Sequence, residues 1–323
     1  MLILLRWLSR RSLRSLHALG AWLGWTIYLF SPAYRRRVLR NAARAGVSVA
    51  QRRQSVAEAG KMVTEGLRLW LRPPGVPIAD PVHWEGEQLI DEALALGRGL
   101  VFLTPHMGSF EITAQAYAQR FGARQPITVL FRPARYQALR ELQEVARARP
   151  ALSTAPATLG GVRQMLRALR RGEAVGLLPD QVPPDGMGVW ANFFGHPAYT
   201  MTLAARLALQ TGAPILLAWC ERLPAGGGFV LRLSRLAEPL PQQVADLSAR
   251  QRDAEATPPR AKAPPQPRDD AAVLQQAQAE VINRAMEVLI LQCPQQYLWG
   301  YHRYKGPRRV NAEAVATAEE DAA

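Results

Sequence analysis

The densest chemical signal in this 323-residue chain is the stretch Thr104-Pro105-His106-Met107-Gly108-Ser109-Phe110-Glu111. It sets an imidazole five positions before a carboxylate, across a glycine. On one continuous helix that offset turns the two side chains apart by roughly 140°. With His106 in a turn and Glu111 in the first turn of the next helix, a carboxylate–imidazole hydrogen bond becomes feasible. Such a bond holds the ring tautomer and favours the imidazolium formed when histidine accepts a proton. The pair therefore suits general-base work. A carboxylate near a helix N-terminus is also favourable for its own sake, so the pattern equally suits a structural histidine.

A base of this kind needs a rigid seat, and loops at strand ends in open α/β sheets supply one. Short apolar runs alternate with helical periods from residue 82 onward. The pattern predicts helix 87–96, strand 99–104, helix 109–121, strand 127–131, helices 136–147 and 159–171, and strand 174–178. A helix at 200–211, strands 214–221 and 228–235 and a helix at 271–292 follow. Strands alternating with helices imply one α/β domain whose mixed, largely parallel sheet is flanked by helices. The last two strands, joined across Ala225-Gly226-Gly227-Gly228, form an antiparallel hairpin at the sheet edge in this reading. Residues 249–270 hold five prolines and almost nothing apolar, the composition of a flexible surface insertion. The expected organisation is an amino-terminal helix over 1–34, the α/β domain over 35–310 and a disordered acidic tail over 311–323.

Charge separates the amino-terminal part from the rest. The net formal charge is +14, yet eleven arginines and no acid precede Glu58. The remaining residues hold 29 bases and 26 acids, so the body is near neutral. A nucleic-acid-binding protein would more often spread its basic face over the fold, and no nucleic-acid partner is expected. Between Arg14 and Arg35 lie twenty uncharged residues rich in Trp and Tyr, borderline for crossing a bilayer. Both a short span and a helix lying in the interface put this segment at a membrane. A buried core helix remains an alternative; a cleaved signal peptide is disfavoured by Pro32 and by Arg35–Arg37 directly after it. For a spanning segment, the seven arginines of 35–53 would leave the body cytoplasmic. Cys220 and Cys293 give no disulfide framework and no metal spacing, and no cofactor motif is present.

HMGSFE resembles the H-x4-D/E block of membrane-bound glycerolipid-type acyltransferases. Further segments resemble the bacterial lipid A biosynthesis late acyltransferases: RRRVLRNAARAGVSVAQRR (35–53), Phe131-Arg132-Pro133, LQEVARAR (142–149), LLPDQVPPDGMGVWANFFGHPAYT (177–200) and PQQYLWGYHRYK (294–305). The likeness covers nearly residues 1–310 in the same order; the 249–270 insertion and the acidic tail are departures that touch no motif. The resemblance implies transfer of a fatty acyl chain from acyl carrier protein, or from acyl-CoA, to a hydroxyl of a phosphorylated lipid A precursor. It implies an inner-membrane enzyme acting at the cytoplasmic face, with membrane lipids as a further partner and no covalent acyl-enzyme. His106 would be the general base, Glu111 its partner, and Arg147, matching the family's downstream arginine, the third catalytic residue. Arg132 and Arg149 are neighbours that could serve in its place, and Arg140, Arg147 and Arg149 could equally form a solvated helix-end patch. Asp180, just past strand 174–178, could orient an arginine or the acceptor, or simply form a turn. Phe193 and Phe194 would wall an acyl groove, and Trp299, His302 and Arg303 would meet the headgroup or plug the fold. Another glycolipid or a lysophospholipid as acceptor, and a non-catalytic lipid-binding protein, are the alternatives.

Overall fold

The computed structural model describes residues 2–73, 75–131, 149–246 and 269–308. Its centre is a seven-stranded sheet built from β1 (Val82–Glu85), β2 (Leu100–Leu103), β3 (Ile127–Phe131), β4 (Leu152–Pro156), β5 (Ala174–Leu177), β8 (Ile215–Arg222) and β9 (Phe229–Arg235). The strand order is β1-β9-β8-β2-β5-β3-β4. The five strands from β8 to β4 are mutually parallel, and β9 turns antiparallel to β8. The mixed, largely parallel sheet is as expected. The β8–β9 hairpin is not its edge, however, because β1 pairs in parallel beyond β9. Four-residue β1 is too short to stand out as a strand in the sequence.

Each central strand is apolar throughout because both faces of the sheet are covered. Leu100 and Phe102 of β2 pack with Ile90 of α5 (Gln88–Leu94) and with Tyr117 and Phe121 of α6 (Phe110–Phe121). Val101 and Leu103 point the other way, as strand alternation requires. They pack with Met165 and Leu169 of α7 (Leu159–Arg170), Leu207 of α8 (Leu203–Thr211) and Ile282 and Met286 of α9 (Asp270–Gln292). The helix expected at 200–211 starts only at Leu203, because β7 (His196–Met201) pairs antiparallel with β6 (Gly188–Phe193). Phe194 and Gly195, both at positive φ, make the two-residue turn between them. Asp269 accepts a hydrogen bond from the Ala272 amide and caps α9, so the end of the expected insertion belongs to that helix. The expected helix 136–147, the insertion over 249–268 and the tail over 311–323 lie outside the described residues.

Four helices precede the sheet: α1 (Leu2–Ser9), α2 (Leu13–Phe30), α3 (Pro32–Arg44) and α4 (Val49–Trp70). Among the described residues no helix is long and apolar enough to cross a membrane. Instead α2 packs along α4 on one face only. Gly20 and Gly24 meet Gly60 and Val56 so closely that a Cβ on Gly60 would come within 1.9 Å of the Gly20 carbonyl oxygen. Small residues let two helices approach to backbone contact. Thr64 donates to the Leu16 carbonyl (2.7 Å) across the same contact, and the His17 ring meets Glu65 at 2.9 Å. The opposite face of α2 exposes Trp22, Trp25 and Leu29, and its carboxyl-terminal end also exposes Ile27 and, at 83%, Phe30. The helix is thus half core and half exposed apolar surface.

Candidate active site

The position of His106 follows from strand register. Leu103, the last residue of β2, pairs with Leu177, the last residue of β5. Three residues on from each lie His106 and Asp180, so two adjacent parallel strands deliver an imidazole and a carboxylate to the same end of the sheet. Asp180 accepts from His106 twice, through the ring Nδ1 (2.7 Å) and through the backbone amide (2.9 Å). Burial pushes the Asp180 carboxyl up, but the charge and hydrogen bonds of His106, with Arg303 beyond, hold it below its ordinary value. An ionised carboxylate can only accept, so Nδ1 carries a proton, and in the neutral ring the lone pair is on Nε2. The Gln181 side-chain amide meets Nε2 at 2.9 Å. The carboxylate on Nδ1 is therefore Asp180, not the Glu111 that sequence spacing suggested.

The turn between β2 and α6 is held from three sides. Gly108 has φ +58°, and a Cβ there would come within 2.0 Å of the Cys220 carbonyl oxygen; only glycine fits. The Gly108 amide donates to Gln296 O (2.9 Å), and the Ser109 amide donates to Cys220 O at the end of β8 (2.8 Å). The Leu298 amide donates to the His106 carbonyl (3.2 Å). The PQQYLW segment thus braces the turn that carries the histidine. Arg222 adds a buried clamp, donating to the Gly108 carbonyl (3.1 Å), to Glu65 and to Glu58. Burial pushes the Glu65 carboxyl up, yet Arg222 and His17 together hold it below its ordinary value.

His106 stands on the wall of a cavity of about 560 Å³ at the carboxyl end of the strands, within the usual range of ligand sites. Apolar side chains dominate the lining, including Phe110, Val129, Leu159, Val162, Val182 and Met187. Gln181, Glu111 and Arg206, with Thr158 and Thr202, are the other polar side chains of the lining. Glu111, in the first turn of α6, also lines a second, smaller cavity on the other side of Phe110.

The other expected site residues fall elsewhere. Arg149 is not on the cavity. Only 8% exposed, it donates to the carbonyls of Arg72 (2.7 Å), Leu69 (2.9 Å) and Trp70 (3.3 Å) and so terminates α4. Phe193 is fully buried against Phe194, Tyr304 and the Arg303 guanidinium, and neither phenylalanine lines the cavity. The Phe194 amide donates to Glu287, which holds the left-handed turn. Both residues build core rather than an acyl groove. Trp299 and Arg303 are buried, Arg303 donating to Tyr199 O and Thr200 Oγ1, while His302 is exposed. Arg132 and Arg147 lie outside the described residues. Among the described residues no cluster of three His, Cys, Asp or Glu could hold a metal. Gln181, Arg222 and Glu65 went unnoticed in the sequence. Only Gln181, adjacent to Asp180 at a strand end, carried a local signal.

At the carboxyl ends of parallel strands, then, a histidine held at Nδ1 by Asp180 stands beside an apolar cavity. The chain belongs to the bacterial lipid A biosynthesis acyltransferase family, whose model matches residues 1–306. It is 26% identical over 221 residues to the lipid A biosynthesis lauroyltransferase of Escherichia coli (strain K12), covering 68% of this chain and 60% of that protein. It is 29% identical over 145 residues to the phosphatidylinositol mannoside acyltransferase of Mycobacterium tuberculosis (strain CDC 1551 / Oshkosh), covering 43% of this chain and 44% of that protein. The chain thus matches less than two thirds of the length of either relative.

Proposed function

We propose that this chain transfers a fatty acyl group from the thioester of acyl carrier protein to a hydroxyl of a phosphorylated lipid A precursor, at the cytoplasmic face of the inner membrane. The observation that carries this reading is the imidazole whose Nδ1 is held by Asp180 while its Nε2 edge borders an apolar cavity large enough for a hydrocarbon chain. The acceptor hydroxyl displaces the Gln181 amide from Nε2 and gives its proton to that nitrogen as its oxygen attacks the thioester carbon. Asp180 stabilises the imidazolium. The tetrahedral oxyanion collapses with cleavage of the C–S bond, and the imidazolium returns the proton to the departing thiolate. No covalent acyl-enzyme forms, in keeping with buried Cys220 and Cys293, whose thiols burial pushes far up. Glu111 faces the incoming acceptor from the cavity wall, and Arg147 stabilises the oxyanion.

The exposed aromatic and aliphatic face of α2, with the arginines of α1–α3 around it, seats the enzyme in an anionic leaflet as an interfacial helix. Deleting residues 1–33 would also strip the partner face of α4. The cleaner test is Trp22→Glu with Phe30→Glu, which leaves the α4 contact intact and shifts protein from the pellet to the supernatant. The reaction is tested with purified full-length protein, radiolabelled acyl-acyl carrier protein and the phosphorylated diglucosamine lipid. Transfer that vanishes in His106→Ala supports the assignment, and wild-type turnover in that variant refutes it. Similarity to the mannoside acyltransferase favours a second reading, a different glycolipid acceptor. Competing the two acceptors in one assay separates them.

A further inference from the structure

Phe110 and Glu111 form part of the wall of two cavities. The smaller, about 240 Å³, lies between α4 and the start of α6 and is lined by Met62, Val63, Gly66, Leu69, Trp70 and Ser109. Glu65 also touches it, but that carboxylate is bonded to Arg222 and His17, so its charge is compensated. The remaining wall is largely apolar. Gly66 is informative here, because glycine inside a helix is unfavourable relative to alanine and needs a reason. Gly60 has one in the backbone contact with Gly20. Gly66 has no such contact: a Cβ there would meet only the Trp70 ring, at 3.8 Å, an ordinary van der Waals distance. What its missing side chain provides is cavity space. At the mouth, Val63 is 61% exposed, on the helix against which α2 packs with its apolar outer face free.

We propose that this second cavity takes a hydrocarbon chain of the lipid acceptor, while the His106 cavity takes the donor's acyl chain. The proposal rests on the transfer reaction above, since direct attack without an acyl-enzyme requires both substrates beside one base. The two cavities share Phe110, whose ring centroid is 5.0 Å from that of His106, so a chain held in the smaller one leads its polar end past Phe110 toward the imidazole. Each methylene buried there contributes about fourfold to affinity.

The test uses the full chain, acyl-acyl carrier protein and a series of acceptors with progressively shortened chains. Wild-type acceptor KM rises about fourfold per methylene removed. Gly66→Leu, which fills the cavity, raises KM for the full-length acceptor at least ~10-fold and flattens the chain-length series, with donor KM unchanged. A folded Gly66→Leu with wild-type acceptor KM, or with only its donor KM raised, overturns the proposal. Should that variant fail to fold, Val63→Trp at the exposed mouth makes the same comparison. A binding arm needs no turnover: brominated dodecyl maltoside should quench Trp70, read by difference against Trp70→Phe, and Gly66→Leu should abolish that quenching. Quenching without transfer to any acceptor supports the cavity and overturns the reaction. Transfer without quenching overturns the cavity's role.

Discussion

Two histidine–carboxylate pairs stand among the described residues, and their chemistry on paper is the same. His106 meets Asp180 at 2.7 Å, and His17 meets Glu65 at 2.9 Å; both carboxylates are almost fully buried. The surroundings differ. Glu65 also takes two bonds from Arg222, so its charge is already matched, and His17 lines neither cavity. Asp180 is held by His106 and by the Tyr297 side chain, with Arg303 beyond, and the other edge of the His106 ring borders the large cavity. What separates the two is that only the His106 ring has its second nitrogen at a cavity a substrate can enter, while the Glu65 charge is matched by Arg222 directly. The first pair is the one placed for the proposed transfer. The second joins α2 to α4 and, through Arg222, to the Gly108 carbonyl in the turn that carries His106.

The sharpest way to break this contrast is to remove each histidine in turn. His106→Ala should lower kcat by about 10²- to 10⁴-fold with its melting temperature kept. His17→Ala should retain kcat within a few-fold and lose about 1–3 kcal/mol of stability in denaturant titration. Comparable losses of kcat in both variants would erase the distinction. Asp180→Asn should cost roughly 10²- to 10³-fold in kcat, because an amide no longer selects the Nδ1–H tautomer. Arg222→Met should be the most destabilising of the structural changes, by about 3–5 kcal/mol, since it leaves buried Glu65 with only His17 beside it, whereas Glu58 keeps Lys61. The smallest effect is in acid. The Asp180 and Glu65 carboxyls both lie below their ordinary values of 3.8 and 4.5 in the fold. Their stabilisation is therefore fully present above those values and is lost as pH falls through the lower folded ones. Thermal melts from pH 6 to pH 2 should show the loss, with part of it absent in Asp180→Asn.

Much of the sheet was legible because its central strands are unbroken apolar runs, and His106 and Asp180 each stood visibly at a strand end. That they meet was not legible. β5 follows β2 by some seventy residues, and nothing local says that it inserts beside β2 while β3 and β4 lie outside it. Spacing drew attention to Glu111 instead, since nearness along the chain is the only distance a sequence displays. Arg149 looked available to substrate because the helix whose carbonyls it caps was hidden in a mixed polar and apolar stretch, 49–70. Phe193 and Phe194 suggested a groove, and the β6–β7 turn put Phe193 into the core with Phe194 packed against it.

Composition and periodicity alone determined that this is an α/β protein with a basic, aromatic amino-terminal helix, with one histidine in a turn at a strand end. Those are properties of local pattern: burial on two faces, helical period, the backbone freedom of Gly108. Tertiary structure decided which carboxylate serves His106, that α2 packs along α4 rather than standing apart, and that Phe110 parts two cavities. Each of these depends on strand order and helix contact between residues far apart in the chain. No local rule encodes them, because the free energy that selects them comes from the packing of the whole core.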